Sequence, residues 1–400
     1  MTAPLHHRIL IIGGGNAGLS VAARLRNAGE TDVAVIEPSG THRYQPLLTL
    51  VGGGCAPIDQ VPRPQADVMP KGVAWIRDAA VGIDPETRRV ELASGIEVEY
   101  ERLVVAPGIQ LDIDDVPGMR EALDGPDVST NYVPELAPKT WRLVQRTTSG
   151  TALFTMPSGP IKCAGAPQKA AYLACDYWRS QGVLDRIRVV LVLPTPGMFG
   201  VPEFAATLDE VVARYGIEVR FQSDLVGIDG AAKTASIRDN VSGEVEELAF
   251  DMAHVVPPQS APDWLKATPL AVPDEPKGWV DVDKHTLQHV RYPDVFALGD
   301  AGSTPNSKTG AAIRKQAPVL VKNLLASLRG EPLTASYGGY ASCPLTTARG
   351  KTVLAEFDYT MRPKPSFPVI DTTKERRDMW VLKRHGLPAM YWSLILRGQA

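Results

Sequence analysis

The sequence predicts an α/β protein of two Rossmann-like, doubly wound units followed by C-terminal amphipathic helices. Three observations predict it. An apolar run at residues 8–12 enters Gly13-x-Gly15-x-x-Gly18, and a second at 32–36 ends on Glu37, nineteen positions past Gly18. Strand, helix and strand patterns recur at 151–156, 166–180 and 188–193, the alternation that builds a parallel sheet. An apolar strand at 292–298 then ends on Gly299-Asp300. The chain has 400 residues, more than one core supports, so two or more domains are expected.

In chain order, the first strand, the glycine turn and a helix at 18–27 form a dinucleotide-binding βαβ unit. Gly13, Gly15 and Gly18 permit the tight turn and let backbone approach a pyrophosphate. The helix N-terminus faces that charge, and Glu37 can take ribose hydroxyls. A loop and helix follow at 41–54, then strands at 73–77 and 89–92, and a strand at 100–105 that ends on Ala106-Pro107-Gly108. A Pro- and acid-rich connection at 112–138 leads into the second unit, which continues through a helix at 203–215 and a strand at 217–222. The expected division is 1–113 with 254–328 as one cofactor domain, 114–253 as the second Rossmann-like domain, and 329–400 as a C-terminal segment.

The strand ending in Ala106-Pro107-Gly108 resembles the point where flavin disulfide reductases leave the first half of their FAD domain. In FAD-binding oxidoreductases a Gly-Asp like Gly299-Asp300, read here as the top of a helix, meets the ribityl chain. Together with the first fingerprint these residues name FAD as the cofactor. The second unit reads differently. Its turn, at residues 156–169, keeps only Gly159 and Gly165 and carries three prolines, and the next strand ends on Leu193-Pro194 where an acid would meet a ribose. A nicotinamide dinucleotide has no seat there. That turn instead carries Cys163, beside Lys162 and just ahead of a helix N-terminus, two features that favour a nucleophilic thiolate. Cys343 lies in a Gly-rich turn ahead of an expected strand. Cys175 falls with Ala171, Ala174 and Trp178 on the inner face of its helix and reads as core, and Cys55 as incidental.

Composition narrows the rest. With 42 basic and 45 acidic residues and no basic stripe, no nucleic-acid partner is expected. The first strand starts near residue 8, which leaves no room for a signal peptide, and no apolar run reaches the ~18 residues a bilayer crossing needs. Four cysteines without paired spacing imply a reducing compartment and no metal site.

Thr41-His-Arg-Tyr-Gln-Pro46 with Leu50-Val-Gly-Gly-Gly54, Lys162-Cys-Ala-Gly-Ala-Pro-Gln-Lys169, Ser307-Lys-Thr-Gly310, Gly339-Tyr-Ala-Ser-Cys-Pro-Leu345 and Ala355-Glu-Phe-Asp-Tyr359 resemble the sulfide:quinone oxidoreductases, in the branch that includes the mitochondrial enzyme. The resemblance runs over nearly the whole chain. It implies that Cys163 and Cys343 are a redox pair, resting as a disulfide or with an extra bridging sulfur, with Lys169 and Lys383 in the same pocket. It implies that Gln45, Pro46 and Lys308 line the flavin site, and that His42 packs at the flavin side. Sulfide would attack the oxidised pair and leave a persulfide on Cys343, which a small acceptor such as a thiol, sulfite or cyanide would clear while a membrane quinone takes the electrons.

Residues 376–397 fit a lipid-soluble acceptor. They hold Met379, Trp380, Val381, Leu382, Leu387, Met390, Tyr391, Trp392, Leu394, Ile395 and Leu396, with cationic edges, and read as two short helices broken at Gly386 and Pro388. Such helices lie on a membrane with their aromatics at the interface, here the cytoplasmic face of a bacterial membrane. A lid or a homodimer contact is the alternative for the segment. Rival readings for the whole chain are a type II NADH:quinone dehydrogenase, which would need an intact second glycine fingerprint; a flavocytochrome sulfide dehydrogenase, which would need export and a haem partner; and a FAD-bearing membrane-surface scaffold.

Overall fold

A computed structural model describes residues 5–400. The strand Leu5–Ile12 buries Ile9 to Ile12 completely or nearly so, because it is the inner strand of a seven-stranded sheet with parallel neighbours Val33–Ile36 and Glu97–Val105 on its two sides. A strand buried on both faces needs a continuous apolar run, and this one has it. Ala74–Ile76 extends one edge in parallel. Val295–Ala297 pairs with the last residues of Glu97–Val105, and the antiparallel Arg89–Leu92 and Ala80–Asp84 complete the other edge. The helices Asn16–Asn27 and Gly310–Leu328 cover one face, packing Val21, Leu25, Leu320 and Leu324 on Ile9, Ile11, Val33 and Val35.

The second sheet has five parallel strands in the order Val128–Ser129, Met252–His254, Gly150–Thr155, Ile187–Val192 and Glu218–Arg220. Helix Ala166–Ser180, started by Pro167 in its first turn, lays Ala171, Ala174, Cys175 and Trp178 against it, all fully buried. Trp178 Nε1 donates to the Val144 carbonyl at 2.8 Å, so the indole is satisfied in the core. A two-stranded hairpin, Ala341–Ala348 with Lys351–Phe357, returns the chain to this unit and packs Cys343, Leu345, Val353 and Ala355 into the same core. Residue 343 thereby reaches the turn that carries residue 163.

Three expectations change. Gly299-Asp300 sits in a 3-10 turn, Gly299–Ala301, and the long helix starts only at Gly310. Pro305 removes an amide donor and disfavours helical backbone at Thr304, so the helix waits for Thr309, whose side chain caps Ala312 N at 3.2 Å. Cys343 lies inside strand Ala341–Ala348, opposite Ala355, not in a preceding turn. The following Pro344 is tolerated because the hairpin has only two strands, so each keeps a free edge. At the C-terminus, Arg377–Val381, a wide π turn Leu382–Gly386 and Leu387–Ser393 form one unbroken helical run. Gly386 does not break it, since it keeps helical backbone at φ −66 and ψ −49, and the wide π turn lies just ahead of Pro388, which has no N–H to donate. Among the described residues no helix is long and apolar enough to cross a membrane.

Cys175 is fully buried in the apolar core of the second unit, more than two helical turns past the start of its helix. Cys175→Ala should therefore cost only about 1 kcal/mol in urea unfolding, as a one-atom core truncation, and leave cofactor binding unchanged. Loss of bound cofactor in that variant would show that its helix does more than pack.

Candidate active site

The glycine turn is built by close approach. A Cβ on Gly13 would stand 2.3 Å from the Ala106 carbonyl oxygen and 3.0 Å from Pro107 Cα, and one on Gly18 1.8 Å from the Gly13 carbonyl. Gly13 also has φ +98, and Gly108, at φ +81, faces open space. Gly15 caps helix Asn16–Asn27 with no side chain, so the first amides of the helix remain free for an anion. Glu37 holds the turn from below: Oε2 accepts from Gly14 N and Oε1 from Ser39 N, both at 2.7 Å.

At the other end, Gly299 N donates to Gln316 Oε1 at 2.9 Å. Asp300 is raised above the usual carboxylate range by burial, and its Oδ1 is buried without any partner. Gln259 Nε2 is a second buried atom without a partner. Such groups are costly unless a ligand satisfies them. Lys308 Nζ donates to the carbonyls of Asp300 and Gly302 at 2.6 and 2.9 Å and lies 3.9 Å from the centre of the Trp279 ring; burial pushes it down to about 8. An open pyrophosphate cradle at one end and an orphaned carboxylate at the other fit FAD. Gly13, Gly15, Gly18 and Glu37 would hold its adenosine diphosphate half, and Asp300 the ribityl chain.

The thiols lie beside this seat. Cys163 has φ 53, a left-handed backbone that a residue with a Cβ rarely adopts. It is held there by its N–H to the Lys308 carbonyl (2.8 Å) and by Ala166 N donating to its carbonyl (2.7 Å). Tyr132, in the turn that follows the second-sheet strand Val128–Ser129, donates its hydroxyl to the Lys162 carbonyl at 3.0 Å. Lys169, on the first turn of helix Ala166–Ser180, is buried and puts Nζ 3.2 Å from Cys163 Sγ. Lys162, the cation expected at this thiol, turns away to Gln45 Oε1 at 2.6 Å. A lysine six residues on, nearly two helical turns, reaches the sulfur because the intervening turn folds back under it.

Cys343 is fully buried, with Ser307 Oγ 3.9 Å from Sγ. Burial, then the proximity of Cys163, push its thiol up to about 11, with Lys169 pulling the other way. Lys383 is buried as well; its Nζ donates to the Pro46 carbonyl at 2.9 Å, and burial with the neighbouring Lys169 charge pushes it down to about 7. Thus Cys163, Cys343, Lys169 and Lys383 converge, while Cys55 and Cys175 stand apart, and all four cysteines are free thiols. Tyr132 and Ser307 had no assigned role in the sequence. Tyr132 carries no local signal, since only the turn after a short strand delivers it.

The second unit's glycine-poor turn is tied shut. Asp224 accepts from Ser158 N at 2.8 Å and from Ser158 Oγ at 2.5 Å, and Asn240 Nδ2 adds a third bond at 2.8 Å. A carboxylate fixed at this turn opposes a pyrophosphate. In the C-terminal run Tyr391 and Trp392 are buried against His42 and Tyr44, not presented at an interface, because the helical run turns that side toward the first unit. Exposed apolar area remains at Val381 and Leu394.

A family model described as pyridine nucleotide-disulphide oxidoreductase matches residues 7–315. The protein named sulfide:quinone oxidoreductase, mitochondrial, of Mus musculus is 39% identical over 400 residues, 99% of this chain and 88% of that one. Its namesake in Dictyostelium discoideum is 40% identical over 395 residues, 98% of this chain and 86% of that one. In fold, the sulfide:quinone oxidoreductase from the hyperthermophilic bacterium Aquifex aeolicus aligns with a TM-score of 0.81 at 19% identity, over 99% of this chain and 92% of that one. With full-length relatives at this identity around a thiol pair and a dinucleotide seat, the chain belongs to the sulfide:quinone oxidoreductase family.

Proposed function

We propose that this chain is an FAD-dependent sulfide:quinone oxidoreductase that oxidises sulfide to sulfane sulfur through Cys163 and Cys343 and delivers the electrons to a membrane quinone. The observation that carries the reading is the meeting, beside the flavin seat, of two thiols from distant parts of the chain with a buried ammonium 3.2 Å from one of them. The work divides as the sequence suggests, with 1–113 and 254–328 holding FAD, 114–253 supplying Cys163, and 329–400 supplying Cys343 and the membrane face.

In the oxidised pair, hydrosulfide attacks the Cys343 sulfur. One S–S bond forms as another breaks, leaving a persulfide on Cys343 and releasing Cys163 as a thiolate. The Lys169 ammonium is placed to receive that charge, in a site where little water screens it. A nucleophilic acceptor, such as a thiol or sulfite, then takes the terminal sulfur and leaves Cys343 as a thiolate. Lys383, whose pKa burial and the Lys169 charge push down to about 7, is placed to exchange a proton with the same pocket. FAD, when bound, supplies the two-electron acceptor that re-oxidises the pair and passes the electrons to quinone. The type II NADH dehydrogenase reading is not favoured, because the turn a nicotinamide dinucleotide would use is closed by Asp224.

Peripheral attachment is supported by the exposed Val381 and Leu394 on the C-terminal run and by the cations Arg384 and Arg397 near them in sequence. The face proposed for it is the cytoplasmic face of a bacterial membrane. The mouse and Dictyostelium relatives are named mitochondrial.

Under anaerobic conditions sulfide should bleach the flavin absorbance of the purified protein and NADH should not. Cys163→Ser and Cys343→Ser should each abolish the sulfide response and keep FAD bound. Rapid bleaching by NADH, or wild-type sulfide rates in either serine variant, would overturn the proposal.

The buried Lys383 gives a pH signature. Its pKa falls from 10.5 to about 7 on folding. Between those values the unfolded chain binds a proton that the folded chain does not, so stability rises with pH across that window. Below about pH 7 both states are charged and the burial cost is fully felt. Lys383→Met should therefore be more stable than wild type near pH 6, with the gap closing toward pH 10, as read by urea unfolding.

For the membrane, Val381→Asp with Leu394→Asp should weaken flotation with liposomes and slow long-chain quinone reduction while sulfide still bleaches the flavin. Undiminished flotation would move the attachment surface elsewhere. Point changes are needed because deleting residues 386–400 would also remove the buried Tyr391 and Trp392.

A further inference from the structure

One set of contacts in the molecule has no part in the sulfur chemistry. Gly14, in the middle of the glycine turn, is pinned on both sides, through the peptide before it and the peptide after it. Its N–H donates to Glu37 Oε2 at 2.7 Å, and its carbonyl accepts from Gln65 Nε2 at 2.9 Å and from His42 Nδ1 at 3.1 Å. A carbonyl can only accept, which assigns the imidazole proton to Nδ1 and leaves Nε2 as an acceptor. Its donor is the Tyr391 hydroxyl at 2.6 Å, 349 residues away on the C-terminal helical run. His42 and Tyr391 are both buried.

The same segment also grips the far end of the helix that the turn begins. Asn27 Nδ2 donates to the Arg397 carbonyl at 2.9 Å, Arg24 bonds to the carbonyl of Ala400, and a Cβ on Gly398 would stand 2.8 Å from Arg24 N. Helix Asn16–Asn27 is thus held at its N-terminus through His42 and at its C-terminus by residues 397–400.

We infer that the C-terminal segment is a strut of the FAD pyrophosphate seat, with Tyr391 acting through His42 as a positioning residue for the Gly14 carbonyl and the peptide it belongs to. With the peptides on both sides of Gly14 unable to rotate, the free amides at the start of the helix already point where the phosphates arrive, and binding spends nothing on ordering them. The segment thereby joins cofactor retention to the part of the chain that faces the membrane. The inference rests on the reading of the glycine turn as the FAD seat.

The test titrates full-length apoprotein with FAD, followed by flavin fluorescence, and with ADP, which shares only the pyrophosphate half. Tyr391→Phe keeps the ring packed on Tyr44, 4.6 Å between centroids, and removes only the hydroxyl. It should weaken FAD and ADP by the same factor, about five- to tenfold, the worth of one buried hydrogen bond. His42→Asn retains an amide donor for the Gly14 carbonyl but loses Tyr391, so adding Tyr391→Phe to it should cost nothing more. Wild-type affinity in Tyr391→Phe, or effects of the two substitutions that simply add, would overturn the strut. Should Tyr391→Phe fail to fold, His42→Phe, which cuts both bonds, must show the loss instead, and full affinity there overturns it equally. Failure of wild-type apoprotein to take up FAD at all would overturn the inference together with the cofactor reading beneath it.

Discussion

The centre of this protein depends on charge kept in a place with little water. Lys169 and Lys383 are both nearly inaccessible, Cys343 beside them is fully buried, and Cys163 is half-buried. A buried ammonium is expensive unless negative charge or carbonyl oxygen meets it. Lys169 meets the Cys163 sulfur, and Lys383 meets the Pro46 carbonyl and drops toward neutrality. The pocket therefore sets cationic side chains against the two sulfurs, and the rest of the architecture serves to hold them together.

Two cores contribute to that closure. The second unit delivers Cys163 and Lys169 from one helix start, and the hairpin Ala341–Ala348 with Lys351–Phe357 packs Cys343 into the same apolar cluster. The first unit enters through the backbone: the Lys308 carbonyl holds Cys163 N, and that contact keeps residue 163 in its left-handed conformation. Arg349, at the hairpin turn, ties the two together: its guanidinium donates to the Gly53 carbonyl at 2.6 Å and its backbone N–H donates to Asp176 Oδ2 at 2.8 Å. A reactive turn fixed by both units is strained in a way neither could sustain alone.

The C-terminal run shows how one stretch can satisfy two demands. Its composition of aromatics, aliphatics and cations suits a membrane interface, and Val381 and Leu394 are indeed exposed. Tyr391 and Trp392 instead close over His42 and Tyr44, with Arg63 stacked 4.1 Å from the Trp392 ring centre. Amphipathic composition says how much apolar surface a helix carries. It does not say whether protein or lipid covers each residue.

The sequence alone determined the α/β class, the first glycine turn and the helix Ala166–Ser180 to the residue, because these rest on local rules: apolar period, glycine where backbone must touch backbone, proline at a first helical turn. The family was legible through the resemblance of its motifs. The sequence also singled out Cys163 and Cys343 by the motifs around them. Only the tertiary structure decided which cation stands at Cys163, since Lys162 and Lys169 are both near in sequence and the backbone turn at φ 53 sends one to Gln45 and the other to the sulfur. It alone decided that Asp224 closes the second turn and that Tyr391 reaches His42, for these partners lie 66 and 349 positions apart. Contacts across such separations leave no periodicity for local reading to find; they exist because two cores and a returning hairpin bring the elements together.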